Sequence, residues 1–338
     1  MGTALATRRL QVGREALTND SLVARVVPDV SGIDKQFDYL VPPSLAPRVR
    51  PGAVVRVELN GRRVDAWVIA LGTVGESGFT TVSVDRLSPV LDVADLGVDP
   101  SVVPLAEWVA EHWAGPLRNV LMSATPSRKR ARTAHARRRA VGVTEVAGSA
   151  ELSRLLDGAG GLLRVAPLES AMSVVVETAR RGSVLVLCPT LRMARLGSAW
   201  LRRQGLTTAE LPDQVDAAMA GVDVVIGARS AVFAPCDGLS AIVVIDEHEE
   251  SYHEERVPTW WAPEIAWKRG RVAGVPVVLT SPVPSAAAEE LCGPAVSLST
   301  ATDGWPNIEL ANLLDVPVKG SLLSGSLIDA VRAHQHQY

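Results

Sequence analysis

Residues 222–252 read VDVVIGARSAVFAPCDGLSAIVVIDEHEESY, and their pattern decides the fold. Two short hydrophobic strands each deliver a polar cluster at their carboxyl end, the edge of an open parallel sheet where ligands bind. The second strand, Ala241 to Ile245, is apolar without a break and then gives way to Asp246, Glu247, His248 and Glu249. Two readings fit that switch: a site that holds magnesium through a nucleotide's phosphates, or a strand end meeting solvated acids.

Outward from this stretch, strands and helices alternate from Gly161 onward. GLLRVA, SVLVLC, VDVVIG, AIVVID and VPVVLT read as strands; MSVVVETARR, RMARLGSAWLRRQ and PEIAWKRGRV read as the helices between them. That alternation predicts a doubly wound parallel sheet with helices on both faces. SLLSGSLIDAVRAH is one further helix.

Upstream the period is two instead of 3.6. From Leu22 to Asp92, LVARVV, KQFDYLV, AVVRVEL, RRVDAWVIAL and TVSVDRL are strand candidates between Gly, Pro and Asn. Asn60-Gly61 between two of them favours a tight hairpin. A small β domain of five or six strands follows, barrel-like or a curled sheet. DPSVVPLAEWVAEHW, residues 99–113, is one amphipathic helix bracketed by its Pro and by Gly115, with Trp108 and Trp113 on its buried side. Beyond it lies SRKRARTAHARRRA, a basic run holding Arg128, Lys129, Arg130, Arg132, Arg137, Arg138 and Arg139. Such a run suits DNA phosphates; a solvated linker is the alternative.

The net charge of −3 means that any nucleic-acid surface is local. The three cysteines, Cys188, Cys236 and Cys292, lack metal-ligand spacing and give no disulfide framework, which fits a reducing cytoplasm. No apolar run is long enough for a membrane span, and residues 1–20 read as a loose polar leader.

Two stretches resemble the primosomal protein N′ (PriA) family of replication-restart proteins. VARVVPDVSGIDKQFDYLVPPSL, followed by PGAVVRVELNGRR, resembles the family's N-terminal domain. VVIGARSAVFAPCDGLSAIVVIDEHEESY resembles its GTRSA and DEEH segment, with Gly227, Arg229 and Ser230 in place. The resemblance is best with divergent, helicase-deficient actinobacterial members and covers most of residues 22–330. It implies a multidomain α/β chain: a leader (1–20), a β-rich 3′-end DNA-binding domain (21–98), a helical, winged-helix-like basic region (99–150), and a degenerate RecA-like helicase lobe (151–338). The second lobe and the zinc-bearing region of the family would lie beyond, so a fragment of a longer protein is expected.

The departures from the family concern nucleotide binding. Where helicase members carry GVTGSGKT, this chain reads RVAPLESAM, without glycine or lysine to cradle phosphate. TSPVPS replaces the family's GSATPS, and the acidic motif is shortened. Asp246, Glu247, Arg229 and Ser230 are therefore expected to be a relict nucleotide and magnesium site. No cofactor is required on this reading, ATP with magnesium being the one nucleotide ligand the cluster would meet and zinc belonging to the region beyond.

At the front, the resemblance gives a pocket for the 3′ end of a nascent strand to Phe37, Asp38, Tyr39 and Gly61, with Arg86, Arg62 or Arg63 as its basic residue. An aromatic face stacks any base, and Asp38 accepts a hydrogen bond from a free hydroxyl while repelling a phosphate. Alternation puts Phe37 and Tyr39 on one strand face and Asp38 on the other, so two core aromatics flanking a solvent aspartate is the alternative. Expected partners are forked DNA with its single-stranded and duplex junctions, replication-restart and primosome proteins, and single-stranded-DNA-binding protein, in the cytoplasm at the nucleoid and with no membrane. The competing functions are an ATP-dependent helicase with an atypical nucleotide site, and an interaction scaffold without a DNA role. Trp260 and Trp261 are expected to pack in the core.

Overall fold

The computed structural model describes residues 20–80, 82–126, 149–298, 305 and 325–334. Its front part is an antiparallel sheet of β1 (Leu22–Pro28), β2 (Phe37–Leu40), β3 (Val54–Leu59), β4 (Arg62–Thr73) and β5 (Asp92–Asp95), in the order β2-β1-β4-β3-β5. Alternation along β4 explains how it is covered on both sides. Ala66 and Val68 face an inner cluster with Ala24, Val26, Val55 and Val57, whereas Trp67 and Ile69 join a second cluster outside it.

The chain after the 3-10 turn at Val84–Arg86 curls this sheet toward a barrel. Leu40 donates its N–H to Ser88 O, Val90 donates to Leu40 O, and Leu91 donates to Arg56 O, so one segment stitches the free edge of β2 to β3. TVSVDRL, predicted as a strand, supplies only that turn; the strand is Asp92–Asp95, whose partner is β3. A four-residue DVAD carries too little alternation to announce itself, and its pairing is a tertiary event.

Helices α1 (Val102–His112) and α2 (Leu117–Ala124) follow. Their apolar faces share one continuous cluster with Val27, Trp67 and Ile69 of the sheet and with Phe233, Trp260 and Ile265 further along the chain. Polar ties reinforce it: Trp67 Nε1 donates to Thr125 Oγ1 at 2.7 Å, Arg118 pairs with Asp29 at 2.7 Å, and His112 lies 3.0 Å from Glu264. Trp108 and Trp113 are partly buried against this cluster. The rest of the region expected to be winged-helix-like, residues 127–148 with the whole basic run from Arg128 to Arg139, lies outside the described residues, as do residues 1–19.

The larger unit is a seven-stranded parallel sheet, fitting an α/β RecA-like lobe. Its strands are β6 (Gly160–Arg164), β7 (Ser183–Leu187), β8 (Thr208–Glu210), β9 (Val224–Gly227), β10 (Leu239–Val244), β11 (Val277–Ser281) and β12 (Val296–Ser297), in the order β12-β6-β11-β10-β7-β9-β8. Around it stand α3 (Ser149–Asp157), α4 (Met172–Ala179), α5 (Leu191–Arg203), α6 (Val215–Ala220), α7 (Ala262–Ala273) and α8 (Ala286–Cys292), with α9 (Gly325–His334) last. The central strands are buried on both faces, which is why they read as unbroken apolar runs. Trp260 is fully buried edge-on to Phe233, and Trp261 is buried beside it. No helix among the described residues is long and apolar enough to cross a membrane.

Candidate functional site

The structure holds two openings that bear on the sequence expectations, one at the edge of β2 and one at the carboxyl edge of the parallel sheet. The first begins with strand register. Arg25 on β1 is paired directly with Asp38 on β2, putting opposite charges on the same face. The guanidinium grips the carboxylate with both arms, Nε to Oδ1 at 2.9 Å and Nη2 to Oδ2 at 3.3 Å. Only 11% of the Asp38 side chain is exposed, against 29% for Arg25. This hydrogen bond to Asp38 raises the Arg25 pKa above its ordinary value, keeping the guanidinium charged. Nη2 also donates to the Phe79 carbonyl, and the guanidinium lies 4.8 Å over the Phe79 ring. That ring rests on Gly72, where an added Cβ would meet it at 2.5 Å, so the close approach requires glycine there.

Beside the ion pair is a cavity of about 500 Å³, lined by Arg25, Gln36, Phe37, Asp38, Arg86 and Ser88 among others. Two guanidinium groups and one carboxylate face it. Phe37 is half-buried and packs against the inner cluster, and Tyr39 belongs to that cluster outright. Tyr39 is 4% exposed, its hydroxyl donates to Glu58 O at 2.9 Å, and burial pushes its pKa up. The expectation that Tyr39 stacks a base meets a covered ring: the period of two sends both aromatics toward the inner cluster, and although Tyr39 borders the cavity with Phe37, it is almost fully buried.

Gly61 is not among the residues lining the cavity. It sits at the tip of the β3–β4 hairpin with φ +74 beside Asn60 at φ +51, a turn that demands glycine whatever binds nearby. Arg62 and Arg63 are exposed at the start of β4, away from the cavity lining. Arg86 is exposed and does line it. Sequence reading missed Arg25 and Phe79; the signal for Arg25 was a lone charge in an apolar strand opposite FDYL.

The second opening, about 340 Å³, lies where a nucleotide's phosphates are expected. Glu169, Ser170, Met193, Asp246, His248 and Glu249 are among its walls, and none of the residues lining it is Lys or Arg. Three carboxylates thus face a space that a triphosphate would need to enter. Burial raises the Asp246 pKa, His248 opposing and Glu249 reinforcing the shift. Asp246 also holds the left-handed backbone at φ +50, which Asp and Asn tolerate better than other side chains.

Glu247 does not share this opening. It is fully buried, and its carboxylate accepts from Ser285 N and Ser285 Oγ, each at 2.8 Å. Ser285 in turn caps α8 by accepting from Ala288 N at 3.1 Å. The expected carboxylate pair is corrected accordingly: successive residues after the strand diverge, Asp246 to the cleft and Glu247 to the neighbouring loop.

Arg229 and Ser230 are also elsewhere. Arg229 pairs with Glu254 at 3.2 Å and donates to Ser251 O at 3.4 Å, while Ser230 lines a small separate cleft with Thr125 and Pro235. Ser281 Oγ lies 2.8 Å from His248 Nδ1, tying the segments after β10 and β11 together. No group of three or more His, Cys, Asp or Glu among the described residues could hold a metal ion.

Residues 25–126 match the family model of the PriA 3′ DNA-binding domain. The chain is 26% identical over 337 residues to the replication restart protein PriA of Treponema pallidum, covering 89% of this chain and 50% of that protein. It is 28% identical over 285 residues to the probable replication restart protein PriA of Mycobacterium tuberculosis, covering 72% of this chain and 41% of that one. A shorter match to PriA of Bacillus subtilis is 47% identical over 64 residues, 19% of this chain and 8% of that protein. The chain spans half or less of the length of these relatives. A matched 3′ DNA-binding domain, with similarity to PriA proteins continuing through the parallel sheet, supports a PriA-type protein.

Proposed function

We propose that this chain is a DNA-binding protein of replication restart that recognises forked DNA by the 3′ end of the nascent strand, and that it does not unwind the duplex. The observation that carries the proposal is the cavity at β2, lined by two arginines and an aromatic ring inside the stretch matched to a 3′ DNA-binding domain. An aromatic ring for a terminal base and cations for the phosphate behind it are what end binding requires.

The acidic opening favours the non-helicase reading. Phosphate cradles rely on backbone amides and a lysine, whereas here Glu169 and Asp246 present like charge to an anion and Pro167 lacks the amide donor. Primosome proteins and single-stranded-DNA-binding protein are proposed as partners on the strength of the PriA relationship. Phosphate contacts by the basic run at Arg128–Arg139 belong to the same proposal.

The test is an anisotropy titration of two forks that differ only in whether a 3′ end abuts the branch. The fork with the end is expected to bind about 10-fold tighter, and Arg86→Ala to remove most of that margin, since a charged contact contributes about 1–2 kcal/mol. Equal binding of the two forks by the unaltered protein would overturn it.

A further inference from the structure

Helix α5 and the acidic opening beside it make one surface of two signs. The helix buries Ala194, Gly197, Ser198 and Leu201. Arg192, Arg195, Leu196 and Arg203, at helical spacings of three, four and eleven from the first, are left exposed on its outer face. Arg195 reaches Asp213 only at 4.0 Å, and Arg192 and Arg203 form no ion pair among the described residues. Met193, next to Arg192, is a wall of the opening, so the basic face and the carboxylates of Glu169, Asp246 and Glu249 lie side by side. Those three acids have no ion-pair partner among the described residues either. Glu169 Oε2 is moreover shut off from solvent without a hydrogen-bond donor, and a covered acceptor of that kind calls for one. Leu168 and Val283, both largely exposed, stand next in the chain to Glu169 and Pro282 of the walls and add an apolar rim.

We propose that two copies of this chain pair through this surface, Arg192 of each copy entering the acidic opening of the other. Neighbouring patches of opposite sign are self-complementary about a two-fold axis, because the rotation lays each helix on the other copy's opening. The occupant is a second copy because the surface carries both halves of the contact; a purely basic partner would fill the opening and leave the α5 arginines facing like charge. A guanidinium also supplies the donors that Glu169 lacks, and it binds carboxylates in pairs of hydrogen bonds. Leu196, Leu168 and Val283 then exclude water around the charged contacts. The pairing draws on no residue of the cavity at β2, so it stands or falls apart from end binding.

The experiment is sedimentation velocity of the full chain over about 1 to 100 µM, where a dimer with Kd on the order of 10 µM is expected. Raising the salt should weaken it, as charged contacts are screened. Arg192→Glu and Glu249→Arg each set like charges against one another at both symmetry-related contacts, and each is expected to weaken pairing roughly 30-fold. An equimolar mixture of the two variants should dimerise again, since the mixed dimer has one original contact and one with its charges exchanged. Both positions are exposed, and thermal melts show which variants fold. If one does not, the other decides together with Leu196→Asp, which is expected to weaken pairing as well. A monomer at every concentration overturns the proposal and leaves the opening to a different cationic partner. A dimer that the folded variants leave intact, or two weakened variants that do not recover on mixing, overturns it too.

Discussion

The two openings differ in the sign of what lines them, and on the proposed function that difference suits one to phosphate and closes the other to it. At β2, Arg25 and Arg86 face the cavity against a single, already paired carboxylate; at the carboxyl edge of the parallel sheet, Glu169, Asp246 and Glu249 face theirs without a lysine or arginine. The sheet topology that brings loops together is complete in the second case. Fold therefore delivers the residues, and their charge decides the ligand.

The largest expected effect comes from asking whether Glu247 is a working acid or a strut. Among the described residues its carboxylate bonds to Ser285 alone, so Glu247→Ala is expected to lower stability by about 3 kcal/mol in urea unfolding while leaving end-dependent DNA binding unchanged. Normal stability combined with lost binding would break the contrast between the two openings.

A smaller effect is expected one residue earlier. Burial raises the Asp246 pKa in the folded chain, so the folded state holds its proton more tightly than the unfolded one. The associated stability is present below the unfolded pKa and is lost as pH rises through the raised folded value. Asp246→Asn keeps a side chain that accepts positive φ and removes that loss. It should therefore stabilise the protein near neutral pH by less than about 1 kcal/mol, because the group is partly solvated, with no gain in acid. A destabilised variant at neutral pH would instead give the Asp246 carboxylate a structural partner.

Much of this was legible in the sequence because burial on both faces writes itself as apolar runs: the five central strands of the parallel sheet, and β1 through β4 at the front. The edges were not. Thr208–Glu210 and Val296–Ser297 are too short to carry a period, and they exist because a neighbour offers hydrogen bonds. Alternation in FDYL warned that Tyr39 would turn into the inner cluster while Asp38 met Arg25, and they do, although both border the same cavity. What no local pattern carries is a partner 38 residues away, which is where Glu247 finds Ser285, or 54 residues away, where Arg25 finds Phe79. Arg25 and Asp38 lie between these cases, opposite charges in adjacent strands whose meeting depends on register.

The most direct measurement is the affinity for a fork with a 3′ end at the branch, relative to one without, taken with and without magnesium-ATP. The expected result is a preference of about 10-fold that ATP leaves unchanged. A preference that appears only with nucleotide, or disappears on adding it, would contradict the assignment of function to the front pocket alone.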